Sequence, residues 1–318
     1  MALMLECLTL VLSNKMSILN SDVIPHIAAD TGGGAAWYGD RGLFGGGTTS
    51  VNYIEYINIS SASNITDFGD LSLGRQAAAG TSNGSRGVFA GGQYNTGAQW
   101  PSTDTIDYVT ISTTGNATDF GDLVSARYYL GACSNGTRGL FAGYGGNSIE
   151  YITIDTTGNG TDFGDLTQSR NFLAACGDAT RGVWGGGDTY ANVIDYVTVA
   201  TLGNASDFGD LTMSRNRLAA CSDTTRGVFG GGYLSFTNRI DYITIASTGN
   251  ATDFGDLIQP NRVLTATASS TRGVFAGGFT TTQQTNRIEY ITIQTTGNST
   301  DFGDLSSVRH SIGSCAGD

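Results

Sequence analysis

The chain has 318 residues, with 47 glycines, only 3 prolines and a formal net charge of −12. Charged residues make up 14% of the sequence, too few for a disordered polyelectrolyte, and 39% of the residues are hydrophobic, enough for a sizeable core. A sequence pI near 4.4 argues against nucleic acid as a partner, because phosphate binding needs clustered cations.

The first residues, MALMLECLTLVL, form an apolar segment that is too short to span a bilayer and that contains Glu6. They lack the basic region that begins a secretory signal peptide. We therefore predict that residues 1–40 are an N-terminal extension that attaches the protein, with no membrane span. The alternative is that the natural chain starts at Met16.

From residue 41 onward the chain consists of six units, whose starts are 43 to 52 residues apart. The stretch TGNATDFGDL occurs twice without change, at 114–123 and 248–257. Each unit begins with Arg-Gly-[Val/Leu]-[Phe/Trp], continues through [Asp/Glu]-Tyr and Asp-Phe-Gly-Asp-Leu, and ends with an arginine and small residues; such self-similarity indicates a repeat architecture. The first arginines are Arg41, Arg86, Arg138, Arg181, Arg226 and Arg272, and the last are Arg75, Arg127, Arg170, Arg215, Arg262 and Arg309.

In chain order each unit predicts four short strands, separated by Gly, Asn, Ser and Thr turns. They are RGVFAGG, IDYITI, the segment around TDFGDL, and a small-residue run of the type LAAC. In IDYVTI, Ile106 and Tyr108 face one way and Val109 and Ile111 the other, so both faces carry apolar groups. Radially packed four-stranded sheets bury both faces in this way. The sequence therefore predicts an all-β, six-bladed β-propeller over residues 41–318.

The chain ends at 309–318 with an inner-strand sequence that no second strand follows. The strand that lacks such a partner is 41–47, at the other end of the repeats. We therefore expect residues 309–318 to join the first blade as a closing strand. The alternative is that residues 35–38 supply that strand and the C-terminus stays loose.

The four strand types resemble the kelch repeat: small residues after an arginine, a glycine-ended second strand, [Asp/Glu]-Tyr in the third, and an aromatic residue in the fourth. Phenylalanine stands here where kelch units usually place tryptophan. The wording GNATDFGDL is similar to repeats in virion proteins of marine, especially cyanobacterial, phages. This resemblance covers about 280 residues and implies a kelch-like propeller with a structural role in a virion.

The charged residues recur with the units, which favours a structural role over catalysis. Asp-Phe-Gly resembles a kinase magnesium loop, but six copies exclude that role. Six equivalent sites also cannot separate two carboxyl pKa values, as acid–base catalysis requires. We expect the repeat arginines to bridge strands or blades through carbonyls and through the repeat carboxylates. These are the aspartates that flank Phe-Gly, such as Asp119, Asp122, Asp253 and Asp256, and the Asp or Glu before Tyr. A ring of calcium sites built from both aspartates of each unit is the alternative.

Histidine and cysteine give no sign of a catalytic or metal site. The histidines are His26 and His310, which removes triads and most metal hydrolases, so we expect no enzymatic activity. Four of the five cysteines recur at one position among Ala, Gly and Ser and are expected to fill a crowded interior. Gly-Asn-x-[Ser/Thr], as at Asn116 and Asn250, matches a glycosylation sequon, but a Gly-Asn turn explains it more simply.

Selective binding is expected where the six copies differ. The loop between the second and third strands varies, and so do the residues just after the last arginine of each unit. Up-and-down connectivity brings both sets to one end of the propeller. Aromatic residues beside Asn, Gln and Thr suit stacking on sugar rings or docking to a protein; otherwise they cover blade edges. They are Tyr94, Trp100, Tyr128, Tyr144, Tyr190, Tyr233, Phe236 and Phe279.

Together these features predict a non-enzymatic binding module of a phage virion: a tail fibre, an adhesin or a decoration protein. Its expected partners are a host-surface glycan or other virion proteins, and its expected location is the virion. The alternative is a cytoplasmic kelch-type scaffold for protein–protein interaction. A lyase or hydrolase acting in the central channel is a third interpretation.

Overall fold

The computed structural model describes residues 38–188, 191–234 and 236–317. These residues belong to the compact unit Gly34–Asp318. Apart from residues 38–40, the predicted attachment segment lies outside the described residues. No helix in the described parts of the chain is long and apolar enough to cross a bilayer.

The described residues form a six-bladed β-propeller, in which each blade is an antiparallel sheet of four strands. A short 3-10 helix, Thr48–Ser50, and a two-stranded sheet, Asn261–Arg262 with Phe279–Thr280, lie in the connections. From the inside outward, blade 1 consists of Gly313–Gly317, Arg41–Gly45, Tyr53–Asn58 and Thr66–Asp70, and blade 2 of Ala79–Ser82, Arg86–Ala90, Thr105–Thr110 and Thr118–Asp122. In the same order, blade 3 consists of Gly131–Ser134, Arg138–Ala142, Ser148–Thr153 and Thr161–Asp165, and blade 4 of Ala174–Gly177, Arg181–Gly185, Val193–Thr198 and Ser206–Asp210. Blade 5 consists of Ala219–Ser222, Arg226–Gly230, Arg239–Thr244 and Thr252–Asp256, and blade 6 of Thr265–Ala268, Arg272–Ala276, Arg287–Thr292 and Thr300–Asp304.

The inner strands form a closed circle, and the C-terminal strand completes it. Each inner strand contacts the next one around the axis. Gly313–Gly317 pairs antiparallel with Arg41–Gly45, from Arg41 opposite Gly317 to Gly45 opposite Gly313. The predicted closing strand is therefore confirmed, because the C-terminal strand occupies the place beside the second strand of the first blade.

The hydrophobic core lies between the blades, in six clusters of described residues. Phe120 and Leu123 of blade 2, for example, pack with Phe141 and Ile152 of blade 3. In every blade the repeat tyrosine stands edge-on to the phenylalanine of Asp-Phe-Gly, with ring centroids 5.8–6.0 Å apart. Because a blade buries its faces only against its neighbours, a single blade is not expected to fold alone.

The repeated Asp-Phe-Gly-Asp and Gly-Asn sequences meet at the blade interfaces. Gly69 has a φ of +148°, and a Cβ at this position would lie 2.3 Å from the carbonyl oxygen of Gly115 in the next blade. The N–H of Asp70 donates a hydrogen bond to Oδ1 of Asn116 at 3.1 Å. The Gly-Asn turn of one blade thus docks on Phe-Gly-Asp of the blade before it, which explains why the chain copies both sequences.

The first arginine of each unit joins two blades. Nη1 of Arg86 donates to the carbonyl of Ile154 in blade 3 at 2.9 Å, and its guanidinium stacks on Tyr108 of its own blade at 4.2 Å. The same two contacts recur around the described ring, so these arginines link every blade to the next. The donor–acceptor pairs are Arg41–Ile111, Arg86–Ile154, Arg138–Val199, Arg181–Ile245, Arg226–Ile293 and Arg272–Ile59.

The last arginine of five units is buried against the carboxylate that precedes the repeat tyrosine. Nη1 of Arg215 lies 2.8 Å from Oδ2 of Asp241, and both side chains are fully buried. Nη2 of Arg215 donates to the carbonyl of Phe229 at 3.2 Å. Burial lowers the pKa of the Arg215 guanidinium, and the charge of Asp241 opposes this shift. Among the described residues these pairs are Arg75–Asp107, Arg127–Glu150, Arg170–Asp195, Arg215–Asp241 and Arg309–Glu55.

Of the two sets of repeat carboxylates, those that flank Phe-Gly are not the partners of these arginines. Asp119, Asp122, Asp253 and Asp256 take part in no ion pair within the described ranges. They lie on the outermost strands of their blades, where Asp119 and Asp253 are exposed to water. The buried carboxylate stands one strand further inward.

The alignment of the fifth unit also needs correction, because Arg262 is not a buried repeat arginine. Asn261 occupies the buried place, and its Nδ2 donates to the carbonyl of Gly277 at 2.8 Å. The N–H of Gly232 donates to the carbonyl of Asn261, just as the N–H of Gly187 donates to that of Arg215 in the preceding blade. Arg262 is the next residue and remains partly exposed.

Because Asn261 is uncharged, Glu289 of blade 6 is a buried carboxylate that forms no ion pair among the described residues. Glu289 instead accepts hydrogen bonds from the N–H of Ile258 at 2.8 Å and from the hydroxyl of Ser299. Burial raises the pKa of Glu289 above its usual value, and these two hydrogen bonds only partly oppose the shift. The carboxyl group is therefore stabilised in its protonated form by folding.

We expect Glu289→Gln to reduce the loss of stability as pH rises. Because folding raises this pKa, the contribution of Glu289 is fully present below its unfolded pKa and is lost as the pH rises through its folded pKa. Urea unfolding between about pH 4 and pH 8 measures the difference. The matched variant Asp241→Asn breaks an ion pair and should lower the free energy of unfolding throughout. Equal pH dependence of the wild type and Glu289→Gln would contradict this account.

Candidate binding face

The variable loops lie at one end of the propeller, where backbone hydrogen bonds join them. The loop between the second and third strands of each blade meets the connection that leaves the fourth strand. The N–H of Gly92, for example, donates to the carbonyl of Arg127 at 2.7 Å. We name this end the variable face. The Thr-Gly-Asn turns lie at the opposite end.

A collar of six residues surrounds the opening of the central channel on the variable face. Each collar residue has a φ between 53° and 58°, in the left-handed region. The N–H of Tyr129 donates to the carbonyl of Ala77 at 2.9 Å, and the N–H of Ser311 donates to that of Val263 at 2.9 Å. A left-handed β-branched residue such as Val263 is strained, so the surrounding ring enforces this conformation. The channel collar consists of Ala77, Tyr129, Phe172, Arg217, Val263 and Ser311.

Beneath the channel collar lies a cavity of about 110 Å³, with room for several water molecules. The inner strands below the collar supply mainly Ala, Gly, Ser and Thr to its wall, and Arg217 is the charged residue among its described lining residues. At the other end of the channel, the hydroxyl of Tyr38 donates to the carbonyls of Gly177 and Asp223 at 3.1 and 3.0 Å. The cavity therefore has room for only a small chemical group.

Aromatic rings from blades 3 and 4 form the first half of a belt around the channel collar. Tyr144 contacts Tyr128 with 3.7 Å between ring centroids, and Tyr128 contacts Tyr129 at 5.5 Å. Tyr129 in turn meets Phe172 at 4.5 Å. The guanidinium of Arg217 stacks over Phe172, 4.4 Å from its centroid.

Arg262 is the centre of the second half of the belt. Its guanidinium lies 4.8, 4.9 and 5.2 Å from the ring centroids of Tyr233, Phe236 and Phe279. Phe279 meets His310 at 6.1 Å. The aromatic belt, as we use the name, consists of Tyr128, Tyr129, Tyr144, Phe172, Arg217, Tyr233, Phe236, Arg262, Phe279 and His310.

Side-chain hydrogen bonds close the belt across the channel opening. The hydroxyl of Tyr129 lies 3.1 Å from Oγ of Ser311, and Nδ1 of His310 lies 2.8 Å from the same oxygen. Ala77 is the collar residue between Tyr129 and Ser311, and its small side chain leaves room for the Tyr129 ring to reach Ser311. Hydrogen-bonding groups therefore lie beside the aromatic rings at this point of the belt.

The charge of the belt comes from its two arginines. Burial lowers the pKa of His310, and the charge of Arg262 lowers it further, so the imidazole is neutral at neutral pH. Neither Arg217 nor Arg262 forms an ion pair within the described residues. Nε of Arg262 is buried without a hydrogen-bond partner. The belt thus carries positive charge on a strongly acidic protein.

The structure brings five of the eight predicted binding residues into the belt: Tyr128, Tyr144, Tyr233, Phe236 and Phe279. Tyr94 and Trp100 lie apart from it, on the loop of blade 2. That loop is held by a hydrogen bond from Nε2 of Gln93 to the carbonyl of Trp100 at 3.1 Å, and the side chain of Trp100 is 44% exposed. Tyr190 lies outside the described residues.

The sequence-based prediction does not include Tyr129, Phe172, Arg217 and Arg262. The signal for the first three is their position two residues after a buried arginine, where the units differ. The signal for Arg262 is the spacing of the fifth unit, in which the arginine comes one residue later than in the others.

No group of three or more His, Cys, Asp and Glu side chains in the described parts of the chain is placed to hold a metal ion. The four described cysteines, Cys133, Cys176, Cys221 and Cys315, are buried free thiols. Burial raises the pKa of Cys221 to about 12, so its thiol stays protonated and unreactive.

Comparison with solved structures shows the fold. A solved structure described as "Structure of YjhT" is similar to this chain with a TM-score of 0.69 at 9% sequence identity, over 82% of this chain and 94% of that one. This likeness shows the β-propeller alone. No family model matches the chain, and no curated protein matches it. The kelch and phage resemblances therefore remain interpretations of the repeat.

Proposed function

We propose that the protein is a non-enzymatic binding module of a phage virion, which presents its variable face to a host-surface glycan. The observation that carries this proposal is the aromatic belt around the channel collar. Partly exposed rings offer flat apolar surfaces to sugar rings, and the hydroxyls and imidazole beside them offer hydrogen bonds to sugar hydroxyls. The virion role rests on the resemblance of the GNATDFGDL repeats.

The groups at the channel collar suit binding better than catalysis. General acid–base chemistry needs titratable groups with pKa values near the working pH. The described lining of the cavity contains Arg217, aromatic, aliphatic and small polar residues, and no carboxylate. His310, at the edge, is paired with the hydroxyl of Ser311 at 2.8 Å. We therefore propose recognition without chemical conversion of the ligand.

A protein partner is the second candidate, and exposed apolar side chains outside the belt favour it. Trp100 and Leu234 are 44% and 41% exposed on the variable loops of blades 2 and 5. Such a partner is either another virion protein or, for a cytoplasmic kelch-type scaffold, a cellular protein. Mass spectrometry of purified phage particles separates these cases, because only a virion component is recovered with the particles.

We expect Tyr128→Ala to weaken glycan binding about tenfold, since it removes a stacking surface from the belt. Binding of the wild type to a glycan array identifies the ligands, and titration of each variant with those ligands gives the affinity. Leu202→Ala is the matched control, because Leu202 is 53% exposed on a turn at the opposite end. A folded wild type that binds no glycan overturns the glycan role. Loss on Trp100→Ala but not on Tyr128→Ala would move the site to the blade 2 loop.

A further inference from the structure

We infer that the variable face selects saccharides that carry an anionic group, and that Arg217 and Arg262 bind this group. The inference rests on the proposed function, because it narrows the class of glycan that the face binds. Its basis is the difference between these two arginines and the repeat arginines of the same chain.

The last arginine of five units faces a carboxylate and the first arginine of each unit donates to a carbonyl of the next blade, whereas the side chains of Arg217 and Arg262 make neither contact within the described structure. Arg215, for example, faces the carboxylate of Asp241 at 2.8 Å. Arg217 and Arg262 face aromatic rings, and the described structure shows no ion pair for either of them. A guanidinium stacked on a ring keeps its planar N–H edge for a carboxylate or sulfate, which it can bind with two parallel hydrogen bonds.

The local charge favours an anion although the protein as a whole is acidic. The belt contains the two arginines, no carboxylate, and the neutral imidazole of His310. The nearby carboxylate of Asp188, on the blade 4 loop, accepts a hydrogen bond from Nδ2 of Asn171 at 2.7 Å. With a net charge of −12, the protein repels extended polyanions such as nucleic acid, so a single anionic group presented by a sugar fits this surface better.

The remaining groups of the site favour a sugar as the carrier of the charge. Arg217 lines the cavity together with Tyr129, Phe172 and Ser311. The rings supply apolar contact area, and the hydroxyls of Tyr129 and Ser311, 3.1 Å apart, supply donors and acceptors for neutral hydroxyl groups. A free inorganic anion gains little from contact with the aromatic rings, whereas an acidic sugar contacts the rings, the hydroxyls and the arginines together.

The test is a glycan array that contains neutral, uronate-bearing and sulfate-bearing saccharides. We expect the ligands to be acidic and to bind more weakly as salt is raised. Arg217→Gln and Arg262→Gln should each weaken binding about tenfold or more. Arg239→Gln is the matched control, because the exposed Nη1 of Arg239 donates to the Thr212 hydroxyl away from the belt.

If an arginine variant fails to fold, the inference can still be tested by altering the ligand in place of the protein. Reduction of the uronate carboxyl to a hydroxymethyl group, or removal of the sulfate, should abolish binding to the unaltered protein. The two treatments also distinguish carboxylate from sulfate as the recognised group. Ligands that are all neutral, or binding that survives these treatments, overturn the inference but leave the proposed function. A blank array with folded protein overturns the proposed function itself.

Discussion

Replacing Arg215 with methionine is expected to lower the free energy of unfolding by about 3–5 kcal/mol. The substitution leaves the carboxylate of Asp241 fully buried with no cation beside it. Asp241 keeps hydrogen bonds from the hydroxyl of Thr212 at 2.6 Å and from its N–H at 3.2 Å, but two neutral donors do not replace a guanidinium as a partner for a buried charge. The carbonyl of Phe229 also loses the hydrogen bond that Nη2 of Arg215 donates to it. Urea unfolding of the purified variant measures the loss.

Two controls separate the buried charge from the lost packing. Arg215→Met combined with Asp241→Leu removes both charges and should recover most of the stability, because an apolar pair can replace a buried ion pair at little cost. Arg239→Met removes a partly exposed arginine, which forms no ion pair among the described residues, from the same blade and should have an effect of less than about 1 kcal/mol. If the single and double variants are equally unstable, the loss comes from packing and not from the unpaired carboxylate.

The architecture could be predicted from the sequence because its determinants recur. The Tyr and Phe of each unit, such as Tyr108 and Phe120, mark strands whose two faces are both apolar, and this pattern predicts radial packing. The closing strand could be predicted by elimination, because strand 41–45 lacks an inner partner in its own unit. Gly313–Gly317 is the sequence that fits it.

The partners of the buried arginines could not be chosen from the sequence. Asp241 and Asp253 lie in the same unit, and a carboxylate recurs at both positions in every unit. The strand order decides between them: Asp241 is on the third strand of its blade and fully buried, whereas Asp253 is on the outermost strand and exposed. Periodicity identifies a repeated charge but not its depth in the blade.

The end of the propeller that carries the variable loops could be predicted from the sequence, but the composition of the candidate face could not. Variation between the units indicates one end of the propeller, and Tyr128 and Phe279 lie there. The contact between Tyr129 and Phe172 depends on the left-handed backbone of the channel collar. Aromatic residues rarely adopt a left-handed backbone conformation, and the residue types at these positions do not predict it.

The connection into blade 6 differs from the other five in which residue is buried and which lies at the candidate site. One residue separates Asn261, in the buried position, from Arg262, in the belt. The amide of Asn261 hydrogen-bonds the carbonyl of Gly277 but leaves Glu289 without an ion pair. The arginine instead contacts three aromatic rings on the variable face. At this connection the interior therefore lacks one ion pair, and the candidate site has an additional positive charge.

Truncation after Ile312, which removes the closing strand, should have a still larger effect and abolish cooperative unfolding. All five residues of Gly313–Gly317 are buried, and the strand pairs with Arg41–Gly45 along its whole length. It also contacts the inner strands of blades 2 and 6, so its loss opens the ring at one point and exposes both neighbouring interfaces. Near-UV circular dichroism and urea unfolding of the truncated chain should show no native transition.

A synthetic peptide of residues 309–318, added to the truncated chain, tests whether ring closure itself is the cause. If the fold depends on an inner strand at this place, the peptide should restore a cooperative transition whose midpoint rises with peptide concentration, because ligands that bind only the folded state stabilise it by mass action. A peptide with Gly313 changed to proline is the control, since proline removes a donor from a strand at the centre of the propeller. A truncated chain that unfolds at the same urea concentration as the wild type would show that the remaining blade contacts, including the six Arg-to-carbonyl bridges, hold an open ring without the strand.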